Sequence, residues 1–230
     1  MNWMLFEWKL IVRNKRLQQL FIVSVIFLPL IIYMQFADSI LLKEYFILKE
    51  CFLWAIFATP ANLATLAFSM NAIFMEKLVI TRGAIFQLLQ AKYRLYSMIS
   101  IALFILFLPS MYLGIKFIEL IAAFLFSVGF VFFGLFLTSL SSYRPFNINA
   151  NYFCNFQGFD AANYFFPILV IMVAVGFIAL FYWLFNETVT LIAMSISGLI
   201  FMATNKIWLR NISTSFEKSK YRRLECFREK

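Results

Sequence analysis

The sequence contains no histidine, and only 13% of its 230 residues are charged. Without histidine the chain lacks the commonest general base, the commonest metal ligand, and the Ser-His and Cys-His nucleophile pairs. It also lacks the GxxxxGK[ST] motif that cradles nucleotide phosphates. The sequence therefore predicts a nonenzymatic chain with no catalytic, cofactor or metal site, in which any ATP hydrolysis belongs to another polypeptide.

Hydrophobic residues make up 63% of the chain and include 31 phenylalanines, against roughly 45 to 50% apolar residues in soluble domains. Six windows contain no Asp, Glu, Lys or Arg, and each is close to or above the roughly 20 residues that a helix needs to cross a bilayer. A transmembrane barrel would instead alternate polar and apolar residues over segments of about 10 residues. We therefore predict an all-α integral membrane protein with six transmembrane helices.

The predicted organisation is a single transmembrane domain over residues 1–230. An N-terminal interfacial helix at about 2–16 has Met4, Trp8 and Ile11 on one side and three basic residues on the other, a pattern typical of helices that lie along a membrane surface. Alternatively, this segment extends the first span. The predicted spans are 17–37, 51–75, 95–115, 120–143, 161–186 and 188–205, followed by a basic tail at 206–230.

Basic residues divide unequally between the two sides of this topology. The ends and the even-numbered loops carry 17 of the 20 lysines and arginines, and the other side carries Lys43, Lys49 and Lys116. Because basic residues accumulate in cytoplasmic segments, both termini are predicted to be cytoplasmic. The net charge of +9 then reflects topology and attraction to anionic lipids, and nucleic acid is not expected as a partner.

The cytoplasmic loop between predicted spans 2 and 3 carries an unusual apolar face. Thr81 or Gly83 is expected to start a short helix, in which Ile85, Leu88 and Leu89 share one side before Lys92. Such a face must be buried against the membrane interface or in the groove of another protein.

Span 2 is predicted to carry a polar stripe within a sector of about 120°, assuming 100° per residue. The stripe comprises Thr59, Asn62, Thr65 and Ser69. Helix–helix hydrogen bonds, each contributing about 0.6 to 2 kcal/mol, are the favoured role, and a transport pathway is the alternative.

The layout resembles the permease subunits of ABC-2-type exporters, and the stretch FMEKLVITRGAIFQLLQAKYRLYSMIS at 74–100 is similar to that family's span 2–3 loop. A second stretch, YFCNFQG at 152–158, resembles a segment of an uncharacterised bacterial branch of these permeases. The turn between predicted spans 5 and 6 is too short for the extracellular helices that many such permeases carry.

The resemblance implies a bacterial inner-membrane permease that pairs with a second permease subunit, identical or not, and with cytoplasmic ABC ATPase subunits. The span 2–3 loop would be the coupling helix that docks on the ATPase. Its candidate contacts are Glu76, Arg82, Ile85, Leu88, Leu89 and Lys92. The uncharged spans favour an apolar or amphiphilic cargo. The alternative function is a nonenzymatic membrane scaffold or accessory subunit.

Overall fold

The computed structural model describes residues 3–27, 30, 34, 45–81, 83–141 and 162–228, and within these ranges the regular secondary structure is helical, with no strand. The α-helices are α1 (Trp3–Arg13), α2 (Lys15–Ile22), α3 (Phe46–Ala58), α4 (Met75–Ile80), α5 (Ala84–Phe107), α6 (Phe117–Phe126), α7 (Phe132–Thr138), α8 (Ala162–Leu184), α9 (Glu187–Ala203) and α10 (Asn205–Arg228). The 3-10 segments are Thr59–Leu66, Ser69–Phe74, Leu108–Leu113 and Ser139–Ser141, and the π-helical turns are Val23–Phe27 and Ser127–Val131.

Four helical stretches of the described chain are long and apolar enough to cross a membrane: Phe46–Ala72, Ala84–Tyr112, Phe117–Ser141 and Phe165–Leu184. A fifth crossing is counted if α9 is joined to the following helix across a bend of 61°. This confirms an all-helical fold of the multi-pass membrane type. In predicted span 17–37 the structure shows α2 and one π-helical turn up to residue 27, and most of the residues after 27 lie outside the described part of the chain.

A helix starts after Gly83 as predicted, but it is not a short loop helix, because α5 runs without a break from Ala84 to Phe107. It begins immediately after Gly83, whose φ of 75° places it in the left-handed region that glycine adopts without steric cost. No glycine or proline follows until Pro109, so nothing in the backbone separates a loop helix from the span. The loop face and the membrane span therefore form one rod of 24 residues.

The predicted basic tail at 206–230 is helical as far as it is described, because α10 covers Asn205–Arg228. This helix is amphipathic: Trp208, Leu209, Ile212 and Phe216 are buried at spacings that share one helical face. Phe216 stacks on Phe68 with ring centroids 4.2 Å apart. The C-terminal helix is thus packed against the bundle.

Helix α1 presents a different apolar face from the one predicted. Ile11 is only 5% exposed and packs inward, whereas Trp8 is 43% exposed. Leu5 and Val12 are similarly exposed and lie on the same side as Trp8. The predicted grouping of Trp8 with Ile11 is therefore split between the outside and the inside of the bundle.

Two helices approach closely where α9 crosses the π-helical turn after α6. A Cβ atom added at Gly129 would overlap the backbone of Gly198, and one added at Gly198 would overlap the backbone at Leu125 and Phe126. Small residues allow such approach in membranes, where helices associate through van der Waals packing rather than exclusion from water. The two glycines therefore fix how α9 lies against α6.

We expect Gly129→Ala and Gly198→Ala each to lower the free energy of unfolding by about 1 to 3 kcal/mol, because the methyl group forces the two backbones apart. Thermal unfolding of the purified protein in detergent measures the effect. Gly176→Ala is the matched control, since Gly176 lies in α8 with nothing within 4 Å of an added Cβ. Equal stability of all three variants would contradict the packing of α9 described here.

Candidate functional site

A buried ion pair joins the N-terminal helix to α5. Lys92 Nζ lies 2.5 Å from Glu7 Oε2, and both side chains are almost completely buried, at 0% and 1% exposure. Asn71 Nδ2 donates to the other Glu7 oxygen over 3.2 Å and to Ala67 O over 3.1 Å. One carboxylate therefore connects α1, the end of span Phe46–Ala72 and the start of α5.

This arrangement has a strong energetic consequence. Two charges out of water are tolerated only when they are paired and hydrogen-bonded, since each loses its hydration. Around the pair, Trp3 Nε1 donates to Gln87 Oε1 over 2.6 Å, and the Phe6 and Phe74 rings meet edge to face at 5.4 Å. We call this part of the molecule the Glu7 end of the bundle.

No local sequence pattern indicates the Glu7–Lys92 pair. Lys92 was predicted to be an ATPase contact, and Glu7 was not singled out. The signal that could have found it is that Glu7 is the only carboxylate before Asp38, in a helix that is otherwise apolar or basic. Such an isolated charge in a membrane protein needs a partner.

Most of the predicted coupling residues are buried inside the bundle. Ile85, Leu88, Leu89 and Lys92 are each 4% exposed or less. The side chain of Glu76 and the whole of Arg82 lie outside the described residues. The surface of this loop is formed instead by neighbours of these residues: Ile80 is 83% exposed, and Thr81 and Gln87 are also exposed.

A second charged group lies at the opposite end of span Phe46–Ala72, which we call the Glu50 end. Lys49 Nζ lies 2.7 Å from Glu119 Oε1, and Glu119 also accepts a hydrogen bond from Lys116 N at the start of α6. Glu50 is fully buried next to this pair, and neither of its oxygens receives a hydrogen bond in the described part of the chain. The span predicted at 51–75 thus begins earlier and includes Lys49 and Glu50, whereas Glu119 belongs to span Phe117–Ser141.

The polar stripe of span 2 lies on irregular backbone. Thr59 and Thr65 donate to Ile56 O and Asn62 O, each over 2.8 Å, and so satisfy carbonyls of their own helix. Ser69 is buried. Asn62 alone among the four is exposed. The stripe is therefore not a single helix–helix contact, because the backbone between Thr59 and Leu66 is 3-10 helix and not α-helix.

A cavity of about 280 Å³ opens beside this irregular segment. Span 2 contributes Cys51, Thr59 and Asn62, the α6–α7 region contributes Val131 and Leu135, and α8 closes the far side with Ile171 and Val175. Its lining contains no charged side chain. The cavity thus combines an apolar wall with one exposed amide.

The described residues contain no group of three or more His, Cys, Asp or Glu side chains that could hold a metal ion. Cys51 is a free thiol. Each end of the span holds one ion pair, Glu7–Lys92 or Lys49–Glu119, and the cavity lining offers hydrogen-bonding groups without Asp, Glu, Lys or Arg. The geometry supports ligand binding and mechanical connection between helices.

Together these features define a multi-pass, helical protein of the membrane type. Charged groups lie at both ends of its most buried candidate span, Phe46–Ala72. A family model described as "Family of unknown function (DUF5687)" matches residues 2–230, and the chain belongs to this family. No curated protein and no solved structure matches the chain.

Removing one member of the Glu7–Lys92 pair should destabilise the protein strongly. We expect Glu7→Gln or Lys92→Met alone to lower the free energy of unfolding by about 3 to 5 kcal/mol, because each leaves an uncompensated buried charge. The double variant Glu7→Gln plus Lys92→Met should recover most of that loss. Unfolding in detergent monitored by circular dichroism gives the three values.

Lys9→Met serves as the control for this series, since Lys9 lies on the same helix and is exposed; its effect should stay within about 0.5 kcal/mol. If the losses from the two single changes simply added in the double variant, the side chains would not be interacting.

Proposed function

We propose that this chain is the membrane-spanning permease subunit of an ATP-driven exporter of the ABC-2 type, which works with a second permease subunit and with separate cytoplasmic ATPase subunits. The observation that carries the proposal is the connection of the span 2–3 turn to three helices at once. α5 starts at this turn and runs on as a membrane span. The Glu7–Lys92 pair and Asn71 tie α1 and the end of span 2 to the same place.

This connection suits a subunit that receives force from a partner. A helix of 24 residues is about 36 Å long and moves as a rod when one end is pushed. Because α1 is bound to α5 through buried charges, a displacement at the turn would carry both helices and the end of span 2. We propose that the ATPase acts here, in the cytoplasm.

The proposed docking surface differs from the apolar face read from the sequence. Leu88 and Leu89 hold α5 in the bundle, as their burial indicates. The side chains that meet a docked partner would be Ile80, Thr81 and Gln87. Ile80 is an exposed aliphatic side chain at a turn, where contact with a partner would remove it from water.

The charge distribution supports an orientation with the Glu7 end in the cytoplasm. Exposed basic residues gather there, on α1, α2, α5 and α10: Lys9, Arg13, Lys15, Arg94, Lys206 and Arg210. We propose that α1 lies at the inner membrane surface, with Leu5, Trp8 and Val12 in the lipid and the basic side chains at anionic headgroups. Tryptophan and basic residues commonly anchor helices at that depth.

Ile80→Asp should prevent an ATPase from co-purifying with the chain, because it places a charge on the apolar docking contact, while leaving folding intact at a solvent-exposed position. The measurement is purification from the native host, with identification of captured proteins that contain a P-loop and assay of ATP hydrolysis. Tyr112→Asp is the matched control, since Tyr112 is 95% exposed near the opposite end of the same span.

Capture of a P-loop protein by the wild type and the Tyr112 variant, but not by the Ile80 variant, supports the proposal. Absence of any P-loop protein from the wild-type complex would favour the scaffold function. Undiminished capture by the Ile80 variant would place the docking surface elsewhere.

The orientation is tested by cysteine labelling in a background without native thiols. A thiol at position 187, the first residue of α9 after the turn from α8, should react with a membrane-impermeant maleimide on intact cells or spheroplasts. A thiol at position 81 should react only after permeabilisation. The opposite result would invert the topology and remove the docking surface from the cytoplasm.

A further inference from the structure

The cavity beside Asn62 coincides with two other unusual features of span 2. The 3-10 segment Thr59–Leu66 has eight residues, although 3-10 runs beyond three or four residues are uncommon and often mark functional hinges. Asn62 lies in this segment, about midway between Glu50 at one end of the span and Asn71 at the other. An irregular backbone and an exposed amide at this depth are tolerated where they line a cavity.

The lining restricts what the cavity can hold. It contains no Asp, Glu, Lys or Arg, so a charged ligand would lose its hydration without gaining a counter-charge. A pure hydrocarbon would leave the Asn62 amide without a hydrogen-bond partner, which is costly when water is displaced. A bilayer phospholipid keeps its charged headgroup at the membrane surface, far from the middle of a span.

We propose that this cavity binds an uncharged amphiphile, whose hydroxyl, ester or amide group meets Asn62 and whose apolar body lies between span 2 and the α8 residues Ile171 and Val175. Only the identification of this ligand as the exported cargo rests on the proposed export function; the binding site itself does not. In a 3-10 helix, side chains three positions apart lie on the same side. The Thr59 and Asn62 side chains therefore both reach the cavity.

Cys51 provides a native reporter, because its thiol lines the same cavity. With Cys154→Ser and Cys226→Ser it becomes the only thiol of the chain. The purified chain is placed in phosphatidylcholine nanodiscs, and the rate of Cys51 labelling by N-ethylmaleimide is measured. Three probes of equal chain length are compared at equal mole fraction: 1-monomyristoylglycerol, tetradecane and tetradecyl sulfate.

We expect the monoacylglycerol to slow labelling several-fold, and the alkane and the sulfate to leave the rate nearly unchanged. Asn62→Leu, which keeps the side-chain size and removes the amide, should abolish the protection. Thr65→Val is the matched control, since Thr65 lies in the same 3-10 segment but does not line the cavity, and it should retain protection.

Equal protection by all three probes, or full protection in the Asn62 variant, would overturn the proposal. So would a Cys51 labelling rate that none of the probes changes, because no probe would then occupy the cavity. The assay contains no ATPase. Protection together with failure to capture an ATPase would leave the binding site in place and reject export, whereas capture of an ATPase without protection would reject only the site.

Discussion

The arrangement of helices at the Glu7 end depends on one buried ion pair. A carboxylate and an ammonium group with at most 1% exposure are stable only at contact distance and with their remaining hydrogen bonds satisfied. This requirement fixes α1 against α5, and Asn71 adds the end of span 2 to the same contact. An apolar interface could slide by part of a helical turn at modest cost, but a desolvated charge pair cannot separate without leaving two unpaired charges.

The rest of the bundle is held by shape, since its interior offers few other polar contacts between helices. Tyr93 is surrounded by the rings of Phe132, Phe136 and Trp208 at centroid distances of 5.4 to 6.2 Å. At the other side of the core, Phe126 stacks on Phe130 and Phe177. Such ring pairs contribute about 0.5 to 1.5 kcal/mol each beyond the area they bury. In this phenylalanine-rich chain they act beside a few hydrogen bonds between helices, such as the one that Ser100 Oγ donates to Phe57 O over 2.8 Å.

The sequence predicted the helical, multi-pass class, because uncharged windows of about 20 residues leave few other structures available. It also grouped Ile85, Leu88 and Leu89 correctly on one face. Periodicity shows which residues share a helical face, but not what packs against that face. Here other helices of the same chain pack against it. The partner of Lys92 lies 85 residues away, so no local pattern could identify it. The irregular backbone of span 2 is likewise not predicted, since a stripe at 100° per residue assumes a regular α-helix.

Span 2 physically connects the Glu7 end, the cavity and the Glu50 end. It is the most buried of the four candidate spans, at 78%, and its middle is the least regular. Conversion of the eight residues Thr59–Leu66 from 3-10 to α-helix would shorten the span by about 4 Å, because the rise per residue falls from roughly 2.0 to 1.5 Å.

The same conversion would turn the following residues by about 160° relative to Glu50, because the rotation per residue falls from roughly 120° to 100°. Asn71 could then keep its bond to Glu7 only if α1 and α5 moved with it. A change in the shape of the cavity and a displacement of the span 2–3 turn are therefore geometrically linked. In the proposed exporter, this link would let force applied at the turn reach the ligand.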